Sequence, residues 1–207
     1  MKHWLGLALG LCLAAGAQAH EGHAPAAAPG APVAEPVAAD GTRDAQTYFT
    51  DTQLLTQDGQ PVRFYSDVLK DRLVLLNVVF THCTDACPLI TRKLRDVRAA
   101  LGEELASQVT FITLTSDPLN DTPAVLKAFT QKQGVESPNW LFLTGEQANV
   151  ELVLARLGHL SASPEQHSTL LIVGDVKAKR WSKIRPDAPV AAIAERLQLL
   201  SMPVAGR

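Results

Sequence analysis

The stretch "RLVLLNVVFTHCTDACPLITRKL", Arg72 to Leu94, joins an apolar run, two cysteines and a helical pattern without a break. Arg72 to Phe80 is a near-continuous run of Val and Leu, the pattern of a strand buried on both faces. After Pro88, apolar residues return at Leu89, Ile90, Leu94, Val97 and Leu101, which is helical spacing. Cys83 and Cys87 occupy the junction. Proline lacks an N–H and is tolerated only in the first turn of a helix. If Asp85 caps the helix, Pro88 is its third residue; if Cys87 caps it, Pro88 is its first. Both readings put Cys87 at the helix N-terminus and Cys83 just before it. There the positive end of the helix dipole stabilises a thiolate, the reactive and metal-binding form of cysteine.

Outward from this junction the chain alternates. "QVTFITLT", Gln108 to Thr115, reads as a second buried strand, and "DTPAVLKAFTQKQG", Asp121 to Gly134, as a helix with a cap, a proline and a closing glycine. "NWLFLTG" gives a third strand and "EQANVELVLARLG" a helix ending at Gly158. "STLLIVG" and "KRWSKI" form an expected β-hairpin, and "DAPVAAIAERLQLL" the last helix. Upstream, "YFTDTQLLTQDGQPVRFYSD" reads as two short strands around Asp58-Gly59, a strong hairpin signal. The order predicts an α/β domain: a central sheet flanked by helices, with an N-terminal β-hairpin extension. Sites in such sheets collect at the carboxyl ends of the strands, and Cys83 and Cys87 follow one such end.

The chain has 207 residues and a formal net charge of −2, so nothing in its charge points to nucleic acid. Residues 1–19, "MKHWLGLALGLCLAAGAQA", have the three parts of a secretory signal; an uncleaved anchor is the alternative. Leu11 before Cys12 argues against lipid attachment there. Residues 20–43 are Ala- and Pro-rich and read as a disordered tether. Residues 44–207 then form the folded domain. The expected location is the periplasm, with membrane attachment only if the N-terminal segment is retained.

Of three cysteines, the signal removes Cys12 and leaves Cys83 and Cys87 in an exported protein. At one-turn spacing this pair can form a disulfide, act as a redox pair or clamp a soft metal. A purely structural disulfide would close a tiny loop and stabilise little. His82 neighbours Cys83 but should point to the opposite face. His159 follows a helix-ending glycine and reads as a solvated C-cap residue. His167 lies in a loop entering a buried strand, where it can reach the cysteine turn; a plain surface-loop histidine is the alternative. Two thiolates and one imidazole suit Cu(I) and, with a water, zinc. Spacing does not choose between them.

Three segments, "FTHCTDACPLITRKL", "TLTSDPLNDTPAVLKAF" and "EQHSTLLIVG", in that order, resemble the Sco/SenC family of copper chaperones. The resemblance runs over most of Tyr48 to Leu200. It implies a thioredoxin-like fold and makes Cys83, Cys87 and His167 the expected ligands of Cu(I), and of Cu(II) as well. It further implies delivery of copper to the copper-site subunit of cytochrome c oxidase, or reduction of that site's cysteines, with a thiol reductase as a further partner. The chain departs from the family's usual pattern at Thr84, Ala86 and Gln166, so another cuproprotein stands as the alternative recipient. Ordinary thioredoxins carry a tighter Cys-x-x-Cys and a cis-proline, whose place Ser168 takes here. A thiol–disulfide oxidoreductase using Cys83 and Cys87 is the rival reading.

The remaining features have blander readings beside sharper ones. Asp121 or Thr122 should cap the helix that opens at Pro123. Asp117, at a strand end, is a plain turn residue or one that orients the cysteine loop. His20 and His23 read as a solvated stub, with weak metal capture as the alternative. The basic clusters Arg92, Lys93, Arg95 and Arg98, and "KAKRWSKIR", Lys177 to Arg185, read as solvated faces or as a docking surface. Trp181 reads as a partly buried strand residue or a docking aromatic.

Overall fold

The computed structural model describes residues 45–203. The expected signal at 1–19, the tether at 20–43, and with them Cys12, His20 and His23, lie outside the described residues.

The apolar run is β3 of the sheet, Leu73–Val79, and it is covered on both faces. Leu73 and Leu75 pack toward α2 (Ala86–Ala106), α3 (Pro123–Gln133) and α5 (Val190–Ser201), through Ile90, Leu94, Leu126, Ile193 and Leu197. Val74, Leu76 and Val78 pack on the other face against Phe64 and against Val150, Val153 and Leu154 of α4 (Gln147–Leu157). Alternation along a strand sends successive side chains to opposite faces. A strand with helices on both sides therefore has no solvent face to mark with polar residues.

Among the described residues, seven strands form one sheet in the order β2-β1-β5-β4-β3-β6-β7. At its centre β3, β4 (Val109–Thr115) and β5 (Trp140–Thr144) run parallel, with Leu75 beside Phe111 and Phe111 beside Trp140. β6 (Leu171–Asp175) is antiparallel to β3, with Leu76 opposite Ile172, and β7 (Arg180–Ile184) closes the hairpin beyond it. Because β6 is antiparallel, its amino end lies where β3 approaches its carboxyl end. The loop that precedes β6, with His167, is thereby delivered to the edge of the sheet from which the cysteine loop leaves.

The N-terminal hairpin pairs β1 (Gln53–Thr56) with β2 (Pro61–Arg63), and β1 adds antiparallel to β5. The Thr56 N–H donates to the Gln60 carbonyl and the Gly59 N–H to the Thr56 carbonyl, both at 2.9 Å, which closes the turn at Asp58-Gly59. Two flanks differ from the expected strands. Tyr48 and Phe49 belong to a short helix, α1 (Ala45–Phe49), and Phe64–Leu69 is a single π-helical turn. Phe64, Val68 and Leu69 are buried while Tyr65, Ser66 and Asp67 between them are only partly so, the spacing of a helical face. The turn is fixed by Asp67, which accepts from the Arg63 backbone N–H at 2.7 Å and from its guanidinium.

Gly102 and Gly174 are among the glycines that geometry requires. The regular part of α2 stops at Gly102, whose φ of 72° and ψ of 157° bend the chain before a last turn. Gly174 lies under Trp181: a Cβ there would stand 2.2 Å from Trp181 Cε3. Trp181 also tilts against Phe49, with ring centroids 5.5 Å apart. It is a half-buried packing residue of β7.

The basic clusters are largely structural. Lys93 donates to the Pro186 and Ala188 carbonyls at 2.7 and 3.2 Å, tying α2 to the loop before α5. Arg92 reaches Gln133 of α3 at 3.2 Å, and Arg180 bonds Asp175 at 2.9 Å and carbonyls at the end of α5.

Candidate metal centre

Asp85 is the N-cap of α2, so Ala86, Cys87 and Pro88 are its first three residues. Pro88 sits in the first turn, where its missing N–H costs nothing. Cys83 precedes the helix, and the Cys87 N–H donates to the Cys83 sulfur at 3.3 Å. Both cysteines are free thiols. Cys83 is half-buried, whereas Cys87 is 2 % exposed.

This placement splits the two thiols. Burial raises the Cys83 pKa, but hydrogen bonds from Cys87, Asp85 and Ala86 outweigh it and leave this thiol below its ordinary value. These are helix N-terminal amides with no partner in the helix itself. Cys87 goes the other way. Burial comes first, and with the neighbouring Cys83 and the Asp121 charge it pushes the thiol up to about 12, against a lowering contribution from Phe80. Cys83 therefore gives up its proton more readily than Cys87.

His167 ends a 3-10 turn, Pro164–Gln166, and is 8 % exposed. Its ring meets Phe80 edge-to-face with centroids 5.9 Å apart. Phe80 directly follows β3, and its carbonyl accepts from the Cys83 N–H at 3.1 Å. The loop is also tied to β4, because Ser116 Oγ donates to the Pro164 carbonyl at 3.2 Å. His167 Nδ1 faces the Ser168 carbonyl at 3.0 Å. Burial lowers the His167 pKa, with the Ser168 carbonyl working the other way, so the ring favours its neutral form.

The fold thus joins Cys83 to Cys87 directly and brings His167 to the same sheet edge, against Phe80. It does not gather all three into one donor cluster: among the described residues, no three His, Cys, Asp or Glu side chains stand close enough to hold one ion. Exposed His82 stays on the cysteine loop.

His159 corrects the sequence reading. It is 1 % exposed, not a solvated cap residue, and its Nδ1 lies 2.8 Å from the same Ser168 carbonyl. Ser168 belongs to the loop that leads into β6, so this loop meets the end of α4 at His159.

At the two aspartates one alternative of each reading holds. Thr122 caps α3 through the Val125 N–H at 3.4 Å, and Asp117 takes part in a turn with Asn120. Asp121 is fully buried. Its carboxylate accepts from the Thr81 N–H at 3.1 Å, the Thr81 hydroxyl at 2.5 Å and the Thr115 hydroxyl at 2.6 Å. It therefore locks the start of the cysteine loop to the end of β4. Sequence held one clue: Thr122-Pro123 is already a complete helix start, which left Asp121 free for other work.

A family model for SCO1/SenC matches residues 40–200. The chain belongs to the SCO1/SenC family. It is 36% identical over 96 residues to the SCO1 protein homolog of Bacillus subtilis (strain 168), covering 46% of this chain and 48% of that protein. Among solved structures it resembles copper-bound ScoI of Bradyrhizobium japonicum, with a TM-score of 0.60, 25% identity, and 72% and 96% of the two chains covered. It also resembles BsSco, a member of the Sco family of cytochrome c oxidase assembly proteins in which a disulfide switch was identified. There the TM-score is 0.63, the identity 27%, and the coverage 74% and 92%. The match spans about half the length of the Bacillus subtilis relative. The fold is the thioredoxin-like fold of these SCO1/SenC structures. Among the described residues, no helix is long and apolar enough to cross a membrane.

Proposed function

We propose that this chain is an exported copper carrier that holds Cu(I) through Cys83, Cys87 and His167. Its recipient is the copper site of a respiratory oxidase, or another cuproprotein, and Cu(I) passes to it by exchange onto the partner's own ligands. The observation that carries this reading is the free thiol pair at the mouth of α2, with His167 of a separate loop resting on Phe80 beside it. Two soft sulfurs and one neutral imidazole match the low coordination number of Cu(I). Copper is cargo here, and loading requires the His167 loop to move in toward the sulfurs. Copper-bound relatives of the same fold support the choice of metal. Export rests on the residue pattern of 1–19.

Metal analysis of the reduced full chain, purified without oxygen, tests the proposal. One Cu(I) per chain is expected. Tight binding should vanish in Cys83→Ala and Cys87→Ala and weaken in His167→Ala. A reduced chain that takes up no copper, or a His167→Ala variant that binds it as well as the parent, overturns the reading.

A second reading has one observation in its favour. The opposed pKa shifts of Cys83 and Cys87 suit a dithiol in which one sulfur attacks and the other resolves. In that case the chain is a thiol–disulfide oxidoreductase that reduces its partner's cysteines. Activity in cells that survives His167→Ala but not either cysteine change selects this alternative.

A further inference from the structure

We infer that His159 is a positioning residue for His167, acting through the Ser168 carbonyl that both imidazoles share. The inference rests on the reading of His167 as a copper ligand, and it names what aims that ligand.

The geometry is specific. His159 Nδ1 stands 2.8 Å from the Ser168 oxygen and His167 Nδ1 stands 3.0 Å from it. A carbonyl oxygen only accepts hydrogen bonds, so each ring nitrogen facing it is an N–H. The oxygen has two lone pairs, and the two rings take one each. When both rings are neutral, their lone pairs are at Nε2. For His167 this fixes Nε2 as the nitrogen offered to an ion. A second hydrogen bond that orients a ligating imidazole is a general feature of metal sites.

His159 contributes nothing comparable on its other side. Its Nε2 is buried without a hydrogen-bond partner. A ring without nitrogen would fill the same volume and avoid that unpaired atom. What the imidazole adds at this position is therefore the Nδ1–H on Ser168. That bond also clamps the two ends of the loop: His159 follows α4, Ser168 leads toward β6, and the His167 turn lies between. Loop movement that brings His167 to the sulfurs then pivots on a fixed carbonyl, with the tautomer already chosen.

The test uses the full chain and three variants. His159→Asn keeps a donor at about the distance of Nδ1 from the backbone; His159→Gln moves it one bond further out; His159→Phe removes it. Two measurements are made. The first is the imidazole 15N NMR spectrum of the copper-free protein, which reports the His167 tautomer. The second is Cu(I) affinity, with the Cu(II) optical and EPR spectra beside it. In the parent and His159→Asn, His167 should be the Nδ1–H tautomer with unchanged copper spectra. In His159→Phe and His159→Gln its tautomers should mix, the copper spectra should shift, and affinity should fall on the order of 10-fold.

Unaltered tautomer and copper spectra in a folded His159→Phe overturn the inference. So does a loss of affinity equal in all three variants that follows their unfolding midpoints, because that pattern is packing alone. A parent chain that shows the tautomer effect but binds no copper overturns the ligand reading and leaves the positioning relationship standing.

Discussion

The Cys87 amide donates to the Cys83 sulfur across 3.3 Å, so one cysteine of the pair supplies a hydrogen bond that stabilises the other's thiolate. The two residues have the same side chain and lie one helical turn apart, yet their pKa values shift in opposite directions. Position relative to the first amides of α2 and depth of burial account for the difference.

Alkylation should follow that split. Limiting iodoacetamide at neutral pH is expected to label Cys83 first, and peptide mass spectrometry should find a single adduct there. Equal labelling of both cysteines would refute the asymmetry.

Alkaline stability should follow it too. The Cys87 pKa is raised from 9.0 to about 12 in the folded state. The folded chain therefore holds this proton more tightly than the unfolded chain. The resulting stabilisation is complete below pH 9 and is lost as pH rises toward 12. Urea midpoints of the reduced chain should fall across this window, and less steeply in Cys87→Ala.

On the acid side the sign reverses. Burial lowers the pKa of both His159 and His167 below the ordinary value of 6.5. Their neutral forms stabilise the fold above that value, and the contribution disappears as pH falls through the lowered folded values. Denaturant midpoints between neutral and acid pH should drop in the parent and drop less in His159→Asn.

Asp121 and Asp117 should separate cleanly. Asp121→Asn puts an amide where three donors converge, and about 1–3 kcal/mol of stability should be lost. Amide exchange at Thr81 should speed up with it. Asp117→Ala should stay within about 0.5 kcal/mol in the same urea titration.

Gly174→Ala places a methyl group inside the Trp181 ring. The indole must leave its place beside Phe49, at a cost of about 1–3 kcal/mol. A shifted tryptophan emission maximum and a lower thermal midpoint are the expected signs.

The central sheet and the succession of its elements along the chain were legible because β3 and β4 are long apolar runs and because Pro88, Pro123 and Gly134 mark helix ends. The cysteine junction was legible for the same local reason. His159 was not. Its partner is the Ser168 carbonyl of the loop before β6, a contact between segments that no local pattern records. The role of Asp121 was hidden for a related reason, since Thr81 and Thr115 meet it only after two parallel strands align their ends. Tyr48, Phe49 and the Phe64 turn look like strand by residue type, and tertiary packing decides otherwise. Phe80 carried no sign that an imidazole from much later in the chain would rest on it.

That late arrival sets an order of assembly. The sulfurs leave the ribosome and cross any membrane well ahead of the strand that escorts His167, and β6 can take its place only once β3 is there to receive it. A half-made polypeptide offers a bare dithiol, open to oxidation and to any thiophilic ion. Completion of the sheet is what buries Cys87 and sets His167 against Phe80 beside the pair.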